Sequence, residues 1–340
     1  MDVRARCYFV DVGQGTCQII YLGQGRAIVI DTGRYCPRHE KSKSIMTILH
    51  SLKIATIEAL VLSHNDNDHI GEASTILTNY CTETARNVHS VWLLQDRPVE
   101  NLTLLTSLQQ AEERGCQVRH LADASKPKIL FEDVNANLVL KVLYPSFLQT
   151  LVAQKNKKPN TACAILQLVV GKSKLLFTGD ASLDALTNVH TAFGTLSLDI
   201  MSVPHHGSCM GMSNSQLSWI YGTAFSTKFA VISTGTTNQY SHPSENVICA
   251  IRQSGAEVLC TQVTSKCSTC LTDWRKQRGT FNLDISRSQP DSSKGKPISK
   301  NSNIACCGTI AVDISDTTVE IVHLERFQAW KMQQSSRLCR

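Results

Sequence analysis

Short apolar runs broken by glycine turns open the chain. Cys7-Tyr8-Phe9-Val10-Asp11-Val12 leads into Gly13-Gln14-Gly15, and Thr16-Cys17-Gln18-Ile19-Ile20-Tyr21-Leu22 follows. A Gly23-Gln24-Gly25 turn then precedes Ala27-Ile28-Val29-Ile30-Asp31. β-rich runs joined by glycine turns predict a hairpin or meander. Ile45, Met46, Ile48, Leu49 and Leu52 fall on one face at helical spacing. Ala59-Leu60-Val61-Leu62 is apolar throughout, as a strand covered on both faces is. A helix is predicted from Leu102 to Arg114, stopped by Gly115.

The second half repeats the scheme. Cys163 to Val170, a Gly171-Lys172 turn and Lys174 to Thr178 predict another hairpin. Asp199-Ile200-Met201-Ser202-Val203 and Phe229-Ala230-Val231-Ile232-Ser233 are further strands, with a helix from Glu245 to Gln253. Ser286 to Asn303 is rich in Ser, Lys and Pro and predicts a loop. Strand pattern then returns at Gly308 to Ile314 and Val319 to Val322. Strands alternating with helices in two comparable halves, about 1–155 and 156–340, predict one layered α/β or αββα domain.

Composition narrows the classes. Of 340 residues, 42% are hydrophobic and 18% charged, enough to bury a core. A net charge of +6 falls short of a tail-driven nucleic-acid binder, and 6% aromatics argue against binding single strands mainly by base stacking. No run approaches the ~18–20 apolar residues of a membrane helix. Nor does an apolar stretch long enough for a signal-peptide core follow Arg4 and Arg6 before Asp11. A soluble cytoplasmic protein is therefore expected. Its 14 cysteines are read mainly as reduced thiols, with Cys7, Cys17, Cys163 and Cys249 placed inside apolar runs.

Chemistry gathers where strands end. After Leu60-Val61-Leu62, the segment Ser63-His64-Asn65-Asp66-Asn67-Asp68-His69 offers two imidazoles and two carboxylates within six residues. That donor mix suits Zn²⁺ or Mn²⁺ better than Ca²⁺. Phe177-Thr178-Gly179-Asp180 ends a second strand, Val203-Pro204-His205-His206 a third, and Asn238 to His242 follows a fourth. Singly, a turn Asp or a loop His is more often structural. Four strand ends delivering His or Asp to one rim are harder to explain that way.

These motifs resemble the metallo-β-lactamase superfamily, most closely the hydrolase domain of ComEC-like DNA-uptake proteins. The resemblance runs through Phe9 to Gly15, Ile30-Asp31-Thr32-Gly33, His64 to Gly71, Asn160, Thr178 to Asp180, Pro204 to Ser208 and Asn238 to Pro243. The superfamily's usual His-x-His-x-Asp-His here reads His64-x-Asp66-x-Asp68-His69, the ComEC-like form, and Asn160 lies where a further His is usual. The resemblance implies a four-layer αββα sandwich holding two divalent metals, Zn or Mn. His64 and Asp66 would hold one, Asp68 and His69 the other, Asp180 would bridge them, and His242 would complete the second site. One of His205 and His206 would be a ligand and the other a proton donor or phosphoryl stabiliser; Asp31 and Asn160 would orient ligands.

The activity implied is phosphodiester hydrolysis, with DNA as substrate, by a hydroxide bridging the metals. A small phosphodiester or lactone is the alternative substrate, and a non-catalytic partner-binding module the alternative class. Unlike ComEC proteins this chain carries no membrane channel, so a separately encoded partner is conceivable. Between Cys260-Thr261 and Gly308-Thr309 the ComEC-like turn is expanded into an insertion, 262–307. Cys267, Cys270, Cys306 and Cys307 there offer a possible structural zinc site, against ordinary thiols as the alternative.

Overall fold

The N-terminal runs form β1 (Ala5–Phe9), β2 (Gln18–Gly23) and β3 (Arg26–Ile30), an antiparallel meander. The structure is a computed structural model describing residues 2–33, 45–82, 85–94, 101–122, 128–156, 159–236, 238, 240–262, 264, 266, 306–325 and 328. From β3 onward the sheet continues in parallel through β4 (Thr56–Leu62), β6 (Ser90–Leu93) and β7 (Gln117–His120), with the short β5 (Asn87–Val88) also beside β4. Parallel neighbours need a crossover. Helices α1 (Ile45–Ser51), α2 (Asn67–Ile70), α3 (Ala73–Thr82) and α4 (Leu102–Glu113) supply them.

The second sheet repeats this plan. β8 (Lys128–Asp133), β9 (Leu138–Tyr144), β10 (Ile165–Val170) and β11 (Ser173–Phe177) are antiparallel, with α5 (Phe147–Asn156) between β9 and β10. β12 (Leu196–Ser202), β13 (Phe225–Ile232) and β14 (Glu257–Cys260) then follow in parallel. Their crossovers are α6 (Leu183–Phe193), α7 (Asn214–Trp219) and α8 (Glu245–Gln253).

Alternation along each strand builds the layers. Cys7, Phe9, Ile28, Ile30 and Val61 point one way and pack with the second sheet. Their neighbours Tyr8, Val29, Leu60 and Leu62 point the other way, onto Ile45, Ile48 and Leu49 of α1 and Ile76 and Leu77 of α3. Phe9 and Phe177 meet between the sheets with ring centroids 5.9 Å apart. Helix, sheet, sheet, helix is the αββα sandwich expected. Among the described residues no helix is long and apolar enough to cross a membrane.

The first sheet is completed by β15 (Ile310–Ile314) and β16 (Val319–Ile321), β15 lying antiparallel to β1. The insertion before them leaves and returns at one point. The Cys307 N–H donates to the Cys260 carbonyl at 3.0 Å, and the Cys306 N–H to that of Thr261 at 2.9 Å. Cys306 and Cys307 are buried there; Cys267 and Cys270 lie outside the described residues. One thiol departs from expectation. Cys249 is exposed, because α8 turns Val247, Ile248, Ala250 and Ile251 inward and leaves Cys249 on its outer face, whereas Cys7, Cys17 and Cys163 are buried.

Candidate metal centre

The loops after β4, β11, β12 and β13 meet at one cleft of about 340 Å³, joined by Gln14 and Asn160. β4 ends at Leu62, and Asp66 is the residue before α2, so Asp68 and His69 stand in the first turn of that short helix. The turn is clamped from behind. Thr16 N–H donates to the Asp68 carbonyl at 2.8 Å, and Gly33 lies so close that a β-carbon there would fall 1.4 Å from the same oxygen.

Asp31, at a left-handed φ of 55°, sets the direction of His69. Its carboxylate accepts the Ser63 N–H at 2.7 Å and the Ser63 hydroxyl at 2.6 Å, and takes His69 Nδ1 at 2.8 Å. A histidine held this way at Nδ1 offers Nε2 to a metal. His206 is held likewise, its Nδ1 donating to the Ser233 carbonyl at 2.8 Å. Both His205 and His206 have left-handed backbones, φ 51° and 55°, a strain of about 1–3 kcal/mol per residue that concentrates at functional sites. Gly179 (φ 48°) turns the chain after β11, and the Asp180 N–H donates to the buried Cys163 sulfur at 3.0 Å.

Four ligand atoms converge as a result. Asp68, His69, Asp180 and His206 each present one, all within 4.8 Å of one another. His69 Nε2 stands 3.2 Å from Asp180 Oδ1, and His206 Nε2 lies 3.4 Å from Asp68 Oδ2 and 3.8 Å from Asp180 Oδ1. His69 Nε2, His206 Nε2 and Asp180 Oδ1 are buried and face one another without a well-directed hydrogen bond. Buried polar atoms are rarely left so. One divalent cation would satisfy all three, and imidazoles with carboxylates fit Zn²⁺ or Mn²⁺.

Charge follows the same logic. Burial pushes Asp180 up, but the imidazoles of His69, His206 and His205 prevail and hold it well below the usual carboxylate range. Burial lowers His69, yet Asp180 and Asp31 raise it well above the ordinary imidazole value. His206 is raised by Asp68 and Asp180 against its own burial. His242 faces no such excess of acid; burial and the imidazoles of His206 and His205 push it down to about 4.

The remaining residues expected as ligands surround this cluster. His64 Nδ1 accepts the Asp66 N–H at 3.3 Å, and its ring lies 5.6 Å from that of His69. Asp66 lines the cleft. His205 Nε2 is 3.6 Å from Asp180 Oδ2, and the His242 ring sits 5.9 Å from the His205 ring. Asn160 lines the cleft without contacting the four-atom group through any hydrogen bond of its side chain among those described. Gln14, Asn238 and Tyr240, which lie within the motifs but carry no ligand signature of their own, also line the cleft. Asn238 fixes the His242 loop, accepting its N–H at 2.8 Å and donating to its carbonyl at 2.9 Å. Gln14 Oε1 accepts the Gly235 N–H at 3.2 Å, tying the β1–β2 loop to that following β13. Cys163, read as a core thiol, also positions Asp180.

The model of the metallo-β-lactamase superfamily matches residues 10–89. ComE operon protein 3 of Bacillus subtilis is 25% identical over 287 residues, 81% of this chain and 34% of that protein. Competence protein ComA of Neisseria gonorrhoeae is 25% identical over 255 residues, covering 75% of this chain and 30% of its own. Recombination protein 2 of Haemophilus influenzae is 29% identical over 243 residues, 70% and 25% of the two chains. The chain thus spans about a third or less of the curated relatives it matches. Taken with the order of the motifs along both sheets, these similarities support the expected resemblance to the metallo-β-lactamase superfamily and its ComEC-like branch.

Proposed function

We propose that the protein is a metal-dependent phosphodiesterase acting on DNA. The observation that carries the reading is the set of buried ligand atoms of His69, Asp180 and His206 aligned with Asp68 at a cleft. These four residues would hold one divalent ion; His64, Asp66 and His242, arranged around them, would be the donors for a second. When bound, such ions lower the pKa of water and offset charge on a phosphoryl group. Asp31 and Ser233 keep Nε2 of His69 and His206 turned to the cluster. His205, partly exposed and within 3.6 Å of Asp180, is placed to donate a proton to the leaving oxygen.

DNA is the substrate class to test first because the relatives are named for competence and recombination. A longer substrate is also favoured by shape, since the cleft shares Tyr240 and His242 with a second one instead of closing behind the cluster. The purified protein with Mn²⁺ or Zn²⁺ is expected to cleave DNA, and Asp68→Ala with Asp180→Ala to reduce cleavage to background. Cleavage persisting in the double variant would place the activity elsewhere.

A further inference from the structure

Tyr240 is 60% exposed beside the metal centre, an unusual position for a large ring. It is nevertheless held. Its ring stacks on His242 with centroids 5.7 Å apart and planes 18° from parallel. With His242 stacked against it, the ring still leaves much of its surface for a ligand.

Tyr240 and His242 also form the wall shared by two clefts. The first holds the Asp and His cluster; the second, again about 340 Å³, is lined by Ser208, Ser241, Ser244, Asn246, Glu245 and Lys266. Hydroxyls and a carboxamide both donate and accept hydrogen bonds. One anion and one cation leave little net charge, so the second cleft is poorly suited to another phosphate. An uncharged planar ring with hydrogen-bonding edges meets both features.

We propose that this second cleft receives the nucleobase next to the phosphodiester at the His and Asp cluster, stacked on the exposed ring of Tyr240. The inference rests on the phosphodiesterase reading and narrows its substrate to strands with unpaired bases, because duplex pairing and stacking hide the base faces. The low aromatic content is consistent with one platform beside the chemistry, not a row of them.

The test is the affinity of the metal-loaded full chain for a fluorescent single-stranded oligonucleotide with hydrolysis-resistant phosphorothioate linkages. Tyr240→Ala is expected to weaken binding about tenfold, the size of one lost base–aromatic stack, and Tyr240→Phe to bind within about twofold of the unsubstituted protein. Asn246→Ala, an exposed change, should weaken it severalfold. On an oligonucleotide with abasic sites, the unsubstituted protein and Tyr240→Ala should bind alike. Full affinity in Tyr240→Ala, or a loss that persists on abasic strands, would overturn the subsite. Tyr240-dependent binding without cleavage in any assay would refute the phosphodiesterase and leave the subsite standing. Equal cleavage of duplex and single strands by Tyr240→Ala and the unsubstituted protein would do the reverse.

Discussion

Protons and cations would compete for the same atoms at the candidate metal centre. Without metal, His69 and His206 are raised by facing carboxylates, so the folded protein binds protons that the unfolded chain releases near pH 6.5. Their contribution to stability is full below that pH and is lost as pH rises through the higher native values. Asp180, depressed in the fold, contributes above the unfolded carboxylate value near pH 4 and loses it on acidification. Metal requires the imidazoles deprotonated, so its affinity changes in the opposite direction. Melting curves with and without Zn²⁺ should therefore separate further at pH 8 than at pH 6. An unchanged separation would mean that His69 and His206 are not ligands. These two histidines were both visible in the sequence, but their roles were not equally so. In the proposed centre His206 is favoured over His205 as the ligand because the Nδ1 of His206 meets the carbonyl of Ser233, 27 residues on.

The position of α2 depends on contact between backbones. Gly33 touches the Asp68 carbonyl, an obstacle that cannot rotate away as a side chain would. Gly33→Ala is expected to displace Asp68 and His69 and weaken metal binding about 10–100-fold, the range seen when ligand supports are lost. Gly222→Ala is the control, since a β-carbon there meets nothing within 4 Å. Metal titration of both proteins checks the pair; equal affinities would show that the clamp is dispensable. Helices with clear periodicity and end signals were legible: the span from Glu245 to Gln253 is α8 as predicted. The β8–β9 pair was not, because β9 alternates buried and half-buried positions and carries Lys141 among them, which weakens its apolar signal.

Across the whole molecule, the centre exists because two sheets with separate origins in the chain are pressed together. Phe177 ends β11 directly before Thr178, Gly179 and Asp180, and its ring lies against Phe9 of the other sheet. Phe177→Ala should cost about 3–5 kcal/mol in denaturant unfolding, as large-to-small changes in a tight core do. It should also lower metal affinity by loosening Asp180. A cost under about 1 kcal/mol would show that this contact does not hold the sheets together.

Periodicity, glycine turns and the His and Asp at strand ends are local properties, so the chain's own order of residues specified the layered fold, its principal helices and nearly every group at the cleft. Which groups meet is a matter of long-range pairing. β15 closes the first sheet against β1 from some 300 positions away, and Asp180 reaches His69 only because β4 and β11 belong to facing sheets. Distances between atoms that far apart along a chain are set by packing and strand register, and no motif spacing encodes them.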